Sequence, residues 1–343
     1  MINIAEITFI IPMYNARNTI IKCLLSIVNQ KAIDLKNINI IIVDAGSSDS
    51  SIEIVKEFIK HHREVNINLV HGYGSLNPAQ ARNMGLKLAK SPYIAFIDSD
   101  IELPPNWAEC CLKVLESSER VIVFGNVYPE GYLNTLTNFF RIEHKPTNSY
   151  VLSTSNFMTR LDIIKELGGF DESLKRGEDF ALDDACRKKN IKVVFLRDLI
   201  AKHSGKENFA GLSKKMFISG AARFHLLLKR RSVRPISQHW QEFGAMVSLP
   251  LFLILLLTCG KLCQHFHYCI ASIFILIIAS SIIVSAKRFP LSNLLSFIGI
   301  SIFYVYLILV FLTGFYTEML RVIIHTFNKC LQGKFNFKHK YMS

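Results

Sequence analysis

Four short uncharged runs punctuate the first hundred positions: Ile7–Ile11, Ile38–Val43, Ile67–Val70 and Tyr93–Ile97. They are rich in β-branched residues and apolar at most positions, the pattern of strands covered on both faces rather than wetted on one. Between them the period changes from two to that of a helix over Ala16–Asn29, Ser50–Lys60 and Pro78–Lys90. Ser47, Ser48 and Asp49 offer cap oxygens before the second helix, and Pro78 stands near the first turn of the third, where a missing N–H costs nothing. This alternation predicts an α/β fold: a doubly wound, mostly parallel sheet with right-handed crossovers. Farther on, Val121–Phe124 and Lys192–Leu196 read as strands, and Leu161–Leu167 and Phe180–Lys189 as helices. Gly168, Gly169 and Gly177 break the pattern between those two helices.

After residue 205 the pattern changes. Lys214–Arg234 alternates Met216, Phe217, Phe224, Leu226 and Leu227 with Lys214, Lys215, Arg223, Lys229, Arg230 and Arg231, as a helix lying on a membrane surface does. Then come uncharged runs of 18 residues at Phe243–Gly260, 19 at Tyr268–Ala286 and 28 at Pro290–Thr317. A membrane span takes about 20 apolar residues. The expected organisation is a catalytic body over 1–205, a basic interfacial segment over 206–242, an all-α transmembrane region of about three helices over 243–317, and a basic tail over 318–343.

Charge sharpens this picture. The 343 residues are 50% apolar and 20% charged, with a formal charge of +13. Residues 1–201 hold 23 Lys and Arg against 24 Asp and Glu, whereas 202–343 hold 17 against 3. The excess charge flanks the apolar runs, as expected beside anionic headgroups, and forms no groove-binding motif, so a nucleic-acid partner is not expected. Lys229–Arg234 sets the cytoplasmic side, which predicts a multi-pass inner- or plasma-membrane protein with a cytoplasmic catalytic body. Three spans put the tail outside, against its Arg321, Lys329, Lys334, Lys338 and Lys340. Either the first run is re-entrant or interfacial, or the tail is an exception. The first strand has no basic and apolar leader before it, so no signal peptide is expected. The eight cysteines form no CxxC pair and read as buried thiols.

In an open α/β sheet, ligands bind at the carboxyl ends of the strands. Here those ends carry Pro12, Tyr14 and Asn15; then Asp44 through Asp49; then Asp98-Ser99-Asp100. Two carboxylates two residues apart on a tight turn suit one hard cation, Mg²⁺ or Mn²⁺, completed by phosphate oxygens. Arg82, on the helix entering the Tyr93–Ile97 strand, is a candidate partner for a diphosphate. Asp179, in Gly177-Glu178-Asp179 at a helix start, is placed where the helix dipole favours a carboxylate, and could serve as a general base.

IIPMYN at 10–15, VDAGSSD at 43–49, ARNMG at 81–85, FIDSD at 96–100 and GGFDE through GED at 168–179 resemble, in order, the motifs of glycosyltransferase family 2. The resemblance covers about residues 5–205. It implies a GT-A fold, a nucleotide-sugar donor, a divalent cation and inversion at the anomeric carbon. Residue by residue it implies donor binding by Pro12, Tyr14, Asn15, Asp44, Arg82 and Asp98, with Pro12 and Asp44 at the nucleobase. It implies metal ligation by Asp100 with Asp98, and Asp179 as base beside Glu178. His203 resembles a histidine that reaches the metal or diphosphate, and Ser155 and Asn156 fall near the acceptor position. Ala45 stands where the family commonly has a second acid, and no QxxRW motif of processive synthases is present. The expected function is therefore transfer of one sugar to a hydroxyl of a lipid-linked or cell-surface glycan. Two alternatives are a polyisoprenyl-phosphate hexose synthase, whose anionic acceptor would need no base, and a degenerate, non-catalytic membrane scaffold.

Overall fold

The computed structural model describes residues 6–204 apart from 32, 73, 130–151 and 175–176, together with isolated positions at 213, 217–218, 317, 320–321 and 324–325. The chain divides into two units, Met1–Glu207 and Asn208–Ser343. Apart from those isolated positions, the amphipathic stretch at 214–234 and the apolar runs between 243 and 317 lie outside the described residues. Among the described residues no helix is long and apolar enough to cross a membrane.

The first unit is built on one eight-stranded sheet: β1 (Ile7–Met13), β2 (Ile38–Asp44), β3 (Asn66–His71), β4 (Tyr93–Ile97), β5 (Ile101–Glu102), β6 (Val121–Pro129), β7 (Asn156–Arg160) and β8 (Lys192–His203). Their order is β3-β2-β1-β4-β7-β6-β8-β5. The first four strands are parallel, β7 runs antiparallel between β4 and β6, and β6 and β8 are parallel again. Alternation along each strand divides the core. Phe9, Ile11, Ile40, Ile42, Ala95 and Ile97 face α1 (Ile20–Val28), α2 (Ser51–His61) and α4 (Trp107–Ser117). Ile10, Ile41, Val43, Ile94 and Phe96 face α3 (Pro78–Leu88), α5 (Leu161–Glu166) and α6 (Glu178–Lys188). The doubly wound, mostly parallel sheet expected from the sequence is the one observed.

The differences lie at element ends. Helix α1 starts at Ile20 rather than Ala16. The amides of Asn15, Ala16 and Arg17 donate instead to Ser47 Oγ (2.9 Å), Ser51 Oγ (2.7 Å) and Asp49 Oδ2 (3.2 Å), which stitch the chain after β1 to the chain after β2. Strand β8 runs on from Leu196 to His203 across a bulge, where Leu196 pairs with Gly125 but Ile200 with Asn126. Arg197 and Asp198 occupy the bulge and interrupt the apolar pattern that a strand search follows.

Candidate active site

The acid turn follows β4, and one bond of its own and two to distant segments hold its backbone. Asp98 N–H donates to Ser155 O (2.9 Å), Ile101 N–H to Asp98 O (3.0 Å), and Ser204 N–H to Asp100 O (2.8 Å). The two residues of β5 pair with the end of β8, Ile101 opposite His203. That pairing brings His203 Nε2 to 3.1 Å from Asp100 Oδ2, across a hundred residues of chain. Cys23 of α1 lies buried behind the turn, its Sγ 3.6 Å from Asp98 O. Burial, and then the charges of Asp100 and Asp98, push its thiol far above the usual range.

Arg82 joins this turn to the start of α6. Its side chain is only 3% exposed, so it is not presented to solvent as a diphosphate partner on a surface helix would be. Nη2 donates to Asp98 Oδ1 at 2.6 Å and Nη1 to Glu178 Oε1 at 2.9 Å. The Phe170 ring lies 5.4 Å from Cζ, a cation–π distance. Burial opposes the guanidinium charge, but Asp98 and Glu178 outweigh it and hold its pKa above the ordinary value. Burial raises the Asp98 carboxyl above the usual carboxylate range against the pull of Arg82, and Asp100 and Glu178 act in the same direction. The Arg82 guanidinium stays charged and holds the pair together. Asp98, Asp100 and Glu178 thus crowd negative charge beside one buried cation.

That crowding is what a divalent cation relieves. The Asp100 carboxylate and His203 imidazole, 3.1 Å apart, are oxygen and nitrogen donors of the kind Mn²⁺ accepts, and the carboxylate suits Mg²⁺. Among the described residues no group of three or more His, Cys, Asp or Glu forms a cage. A cation here would complete its shell with substrate oxygens and water, the ordinary habit of Mg²⁺. The residues present fit the group.

Glu178 and Asp179 open α6 after Gly177. Asp179 is half-buried, and its Oδ1 accepts from Phe180 N–H at 2.8 Å. Of the two acids one turn on, Asp183 is buried, accepts from Leu152 N–H at 3.2 Å and pairs with Arg187, while Asp184 pairs with the exposed Lys188.

The other expected donor residues lie along the edges of β1 and β2. Pro12 is inside β1, opposite Val43. Tyr14 is exposed, and Asn15, in the left-handed region at φ 49°, accepts from Ser48 N–H at 2.8 Å. Asp44 is 3% exposed, and its carboxylate accepts the Gly46 and Ser47 amides, each at 3.2 Å. It shapes its own loop before it can meet any base. Asn156 does not face an acceptor: it is wholly buried, and its Oδ1 accepts from Gly125 N–H at 2.8 Å and Trp107 Nε1 at 3.4 Å. The polar side chain at the start of an internal strand is explained by that pairing. Ser155 is half-buried, its hydroxyl 2.8 Å from that of Ser153, and its carbonyl holds Asp98.

Asn83 escaped the sequence reading. Its side chain donates to Phe170 O (2.8 Å) and Glu172 Oε1 (2.9 Å) and accepts from Phe170 N–H (2.9 Å). Gly169 makes the docking possible: its φ of +71° suits glycine, and a Cβ there would fall 2.5 Å from Asn83 Oδ1. The signal was in the motif, since neighbouring residues on a helix point about 100° apart. Arg82 turns to the acids, and Asn83 to the loop that leads toward α6.

Residues 8–168 match the model of glycosyl transferase family 2. The match includes the acid turn and ends before Gly177. Glycosyltransferase AglE of Haloferax volcanii is 26% identical over 239 residues, covering 67% of this chain and 77% of that one. Glycosyltransferase GlyG of Streptococcus pneumoniae is 34% identical over 134 residues, 39% of this chain; the matched part is 42% of GlyG, less than half its length. Among solved structures, mannosyltransferase PcManGT of Pyrobaculum calidifontis, in complex with GDP-Man and Mn²⁺, superposes with a TM-score of 0.65 at 15% identity, covering 93% of this chain and 88% of that one. With its sheet order and motif positions, the body that holds residues 8–168 is a glycosyltransferase domain of family 2 with a GT-A-like fold.

Proposed function

We propose that the chain transfers one sugar, with inversion, from a nucleotide-sugar donor to a hydroxyl of a lipid-linked or cell-surface glycan, and that it uses Mg²⁺ or Mn²⁺. The observation that carries this reading is the shared guanidinium of Arg82, which sets the acid turn and the first turn of α6 on two sides of one site. The acid turn has the donor set for a cation on a diphosphate, and α6 begins with the acid suited to take a proton. The Mn²⁺ and GDP-Man held by the GT-A relative PcManGT are in keeping with that donor set.

When bound, the cation would supply Lewis-acid charge to the leaving diphosphate. Asp100, with His203 beside it and Asp98 adjacent, would hold it there. Asp98 is also kept in place by Arg82 and by the Ser155 carbonyl. Tyr14, exposed at the end of β1, and the loop that Asp44 organises would bind the nucleoside. Asp179 would accept the proton of the attacking hydroxyl, for an alcohol is a poor nucleophile at neutral pH without a base within about 3 Å. Its Oδ1 accepts from the Phe180 amide at the helix start. The basic residues and apolar runs after residue 205 support a multi-pass membrane protein whose catalytic body faces the cytoplasm, where nucleotide sugars are made.

The test is release of nucleoside diphosphate from a panel of nucleotide sugars by membranes containing the full chain, with Mn²⁺, with Mg²⁺ and with EDTA. Donor- and metal-dependent release that rises when lipid-linked glycans are added supports the reading. Equal release in EDTA removes the cation from it, and transfer to an isoprenyl phosphate alone replaces the hydroxyl acceptor.

A further inference from the structure

We infer that Arg82 is a positioning residue, a two-handed tether that places the start of α6, and with it Asp179, against the acid turn; Glu178 is the handle by which the helix is held. The Asp179 part of this inference rests on the transferase reading above.

The argument begins with what holds each side. The acid turn is fixed by backbone hydrogen bonds to Ser155 and Ser204. The first turn of α6 begins at Gly177, which has no capping side chain. One turn later Asp183 anchors the helix through Leu152 N–H, four residues beyond Asp179. At the N-terminal end Glu178 meets Arg82, across 96 residues of chain. Arg82 is itself immobile: it lies on α3, is buried, and is covered by the Phe170 ring. Its Nε is buried with no hydrogen-bond partner among the described residues, so the two Nη contacts set the plane of the guanidinium. A planar fork with separate Nη donors fixes the angle between two carboxylates, which the single ammonium of a lysine does not.

Glu178 neighbours Asp179 on the helix. Loss of the handle should therefore leave the donor in place and misplace the base, a defect in turnover rather than in donor binding. Three versions of the full chain test this: Glu178→Gln, Arg82→Lys and the double variant. Each is measured for turnover per nucleotide-binding site, for donor KM, and for amide hydrogen exchange. The expected result is a loss in kcat of about 10- to 100-fold for Glu178→Gln, the order of effect of misplacing a reacting group by about an ångström, with donor KM within about threefold of the parent. Exchange should quicken at residues 181–186 and stay unchanged in β4. The double variant should fall no further than Arg82→Lys alone, because both remove one connection.

Three results would overturn the tether: additive losses, a rise in KM without loss of kcat, or exchange that quickens evenly across the sheet. If Arg82→Lys does not fold, Glu178→Gln decides alone, since Arg82 keeps Asp98 as its partner in that variant. If the parent chain releases no nucleoside diphosphate from any donor, the proposed function fails. The exchange pattern still decides whether Arg82 holds α6.

Discussion

The two halves of the site are held in different ways. The acid turn is gripped by its backbone: three amide–carbonyl bonds tie Asp98 to Ser155, Ile101 to Asp98 and Ser204 to Asp100. The acceptor side is gripped by side chains: Asn83 holds Phe170 and Glu172, and Arg82 holds Glu178. Backbone bonds do not depend on which side chains the turn carries. Asp100 there can be exchanged for an isostere with little disturbance of shape, and the consequences should be chemical. On the other side the positioning groups are themselves side chains, so substitution changes geometry together with chemistry.

The largest effect expected is at the base. Asp179→Asn should lower kcat by about 100- to 10,000-fold, the usual worth of a positioned base, and leave donor affinity unchanged. Steady-state turnover and nucleotide binding on the same preparation check it, and normal turnover would assign the base to another acid. Next is Asp100→Asn, which should reduce turnover by about 100-fold or more through lost charge stabilisation, and abolish the Mn²⁺ dependence of nucleotide binding. Its thermal midpoint should stay close to the parent's, because the backbone grip on the turn is untouched; a fall of many degrees would contradict the contrast drawn above.

Asn83→Ala tests the side-chain grip. It deletes three hydrogen bonds and leaves the Phe170 amide and carbonyl short of partners. The expected cost is about 1–3 kcal/mol, a fall of roughly 2–12 °C in the melting midpoint of a domain this size. A smaller effect is expected at Asp44→Ala, which should raise donor KM more than it lowers kcat, since Asp44 shapes a loop and touches no reacting atom.

The smallest measurement compares the two regions directly through their cysteines. Cys23 lies behind the acid turn and Cys186 on α6, and both are fully buried. Burial lifts both thiols, that of Cys186 to about 12, so neither reacts until its region opens. In single-cysteine versions of the chain, Cys186 should be alkylated before Cys23, because the side-chain-held region opens at lower free-energy cost. The reverse order would show that the backbone-held turn is the weaker half.

The sequence by itself determined the sheet. Uncharged runs spaced by helical patterns are a local signal, and β1 to β4 with α2 and α3 lie within a residue or two of where periodicity puts them. It also marked Asp98, Asp100, Glu178 and Asp179, because acids beside apolar strands and glycines are legible without coordinates. Tertiary structure decided which of these meet. The pairing of Ile101 with His203 depends on a strand that continues past a bulge, and no local pattern announces it. Arg82 read as a partner for a diphosphate because helix periodicity does not reveal that acids 16 and 96 residues away converge on it. Asn156 read as a polar contact for an acceptor, yet it serves the Gly125 amide and the Trp107 indole inside the core. Periodicity reports which face of an element is apolar. A buried polar group is placed by its partner, and the partner is supplied by distant chain that only the fold brings near.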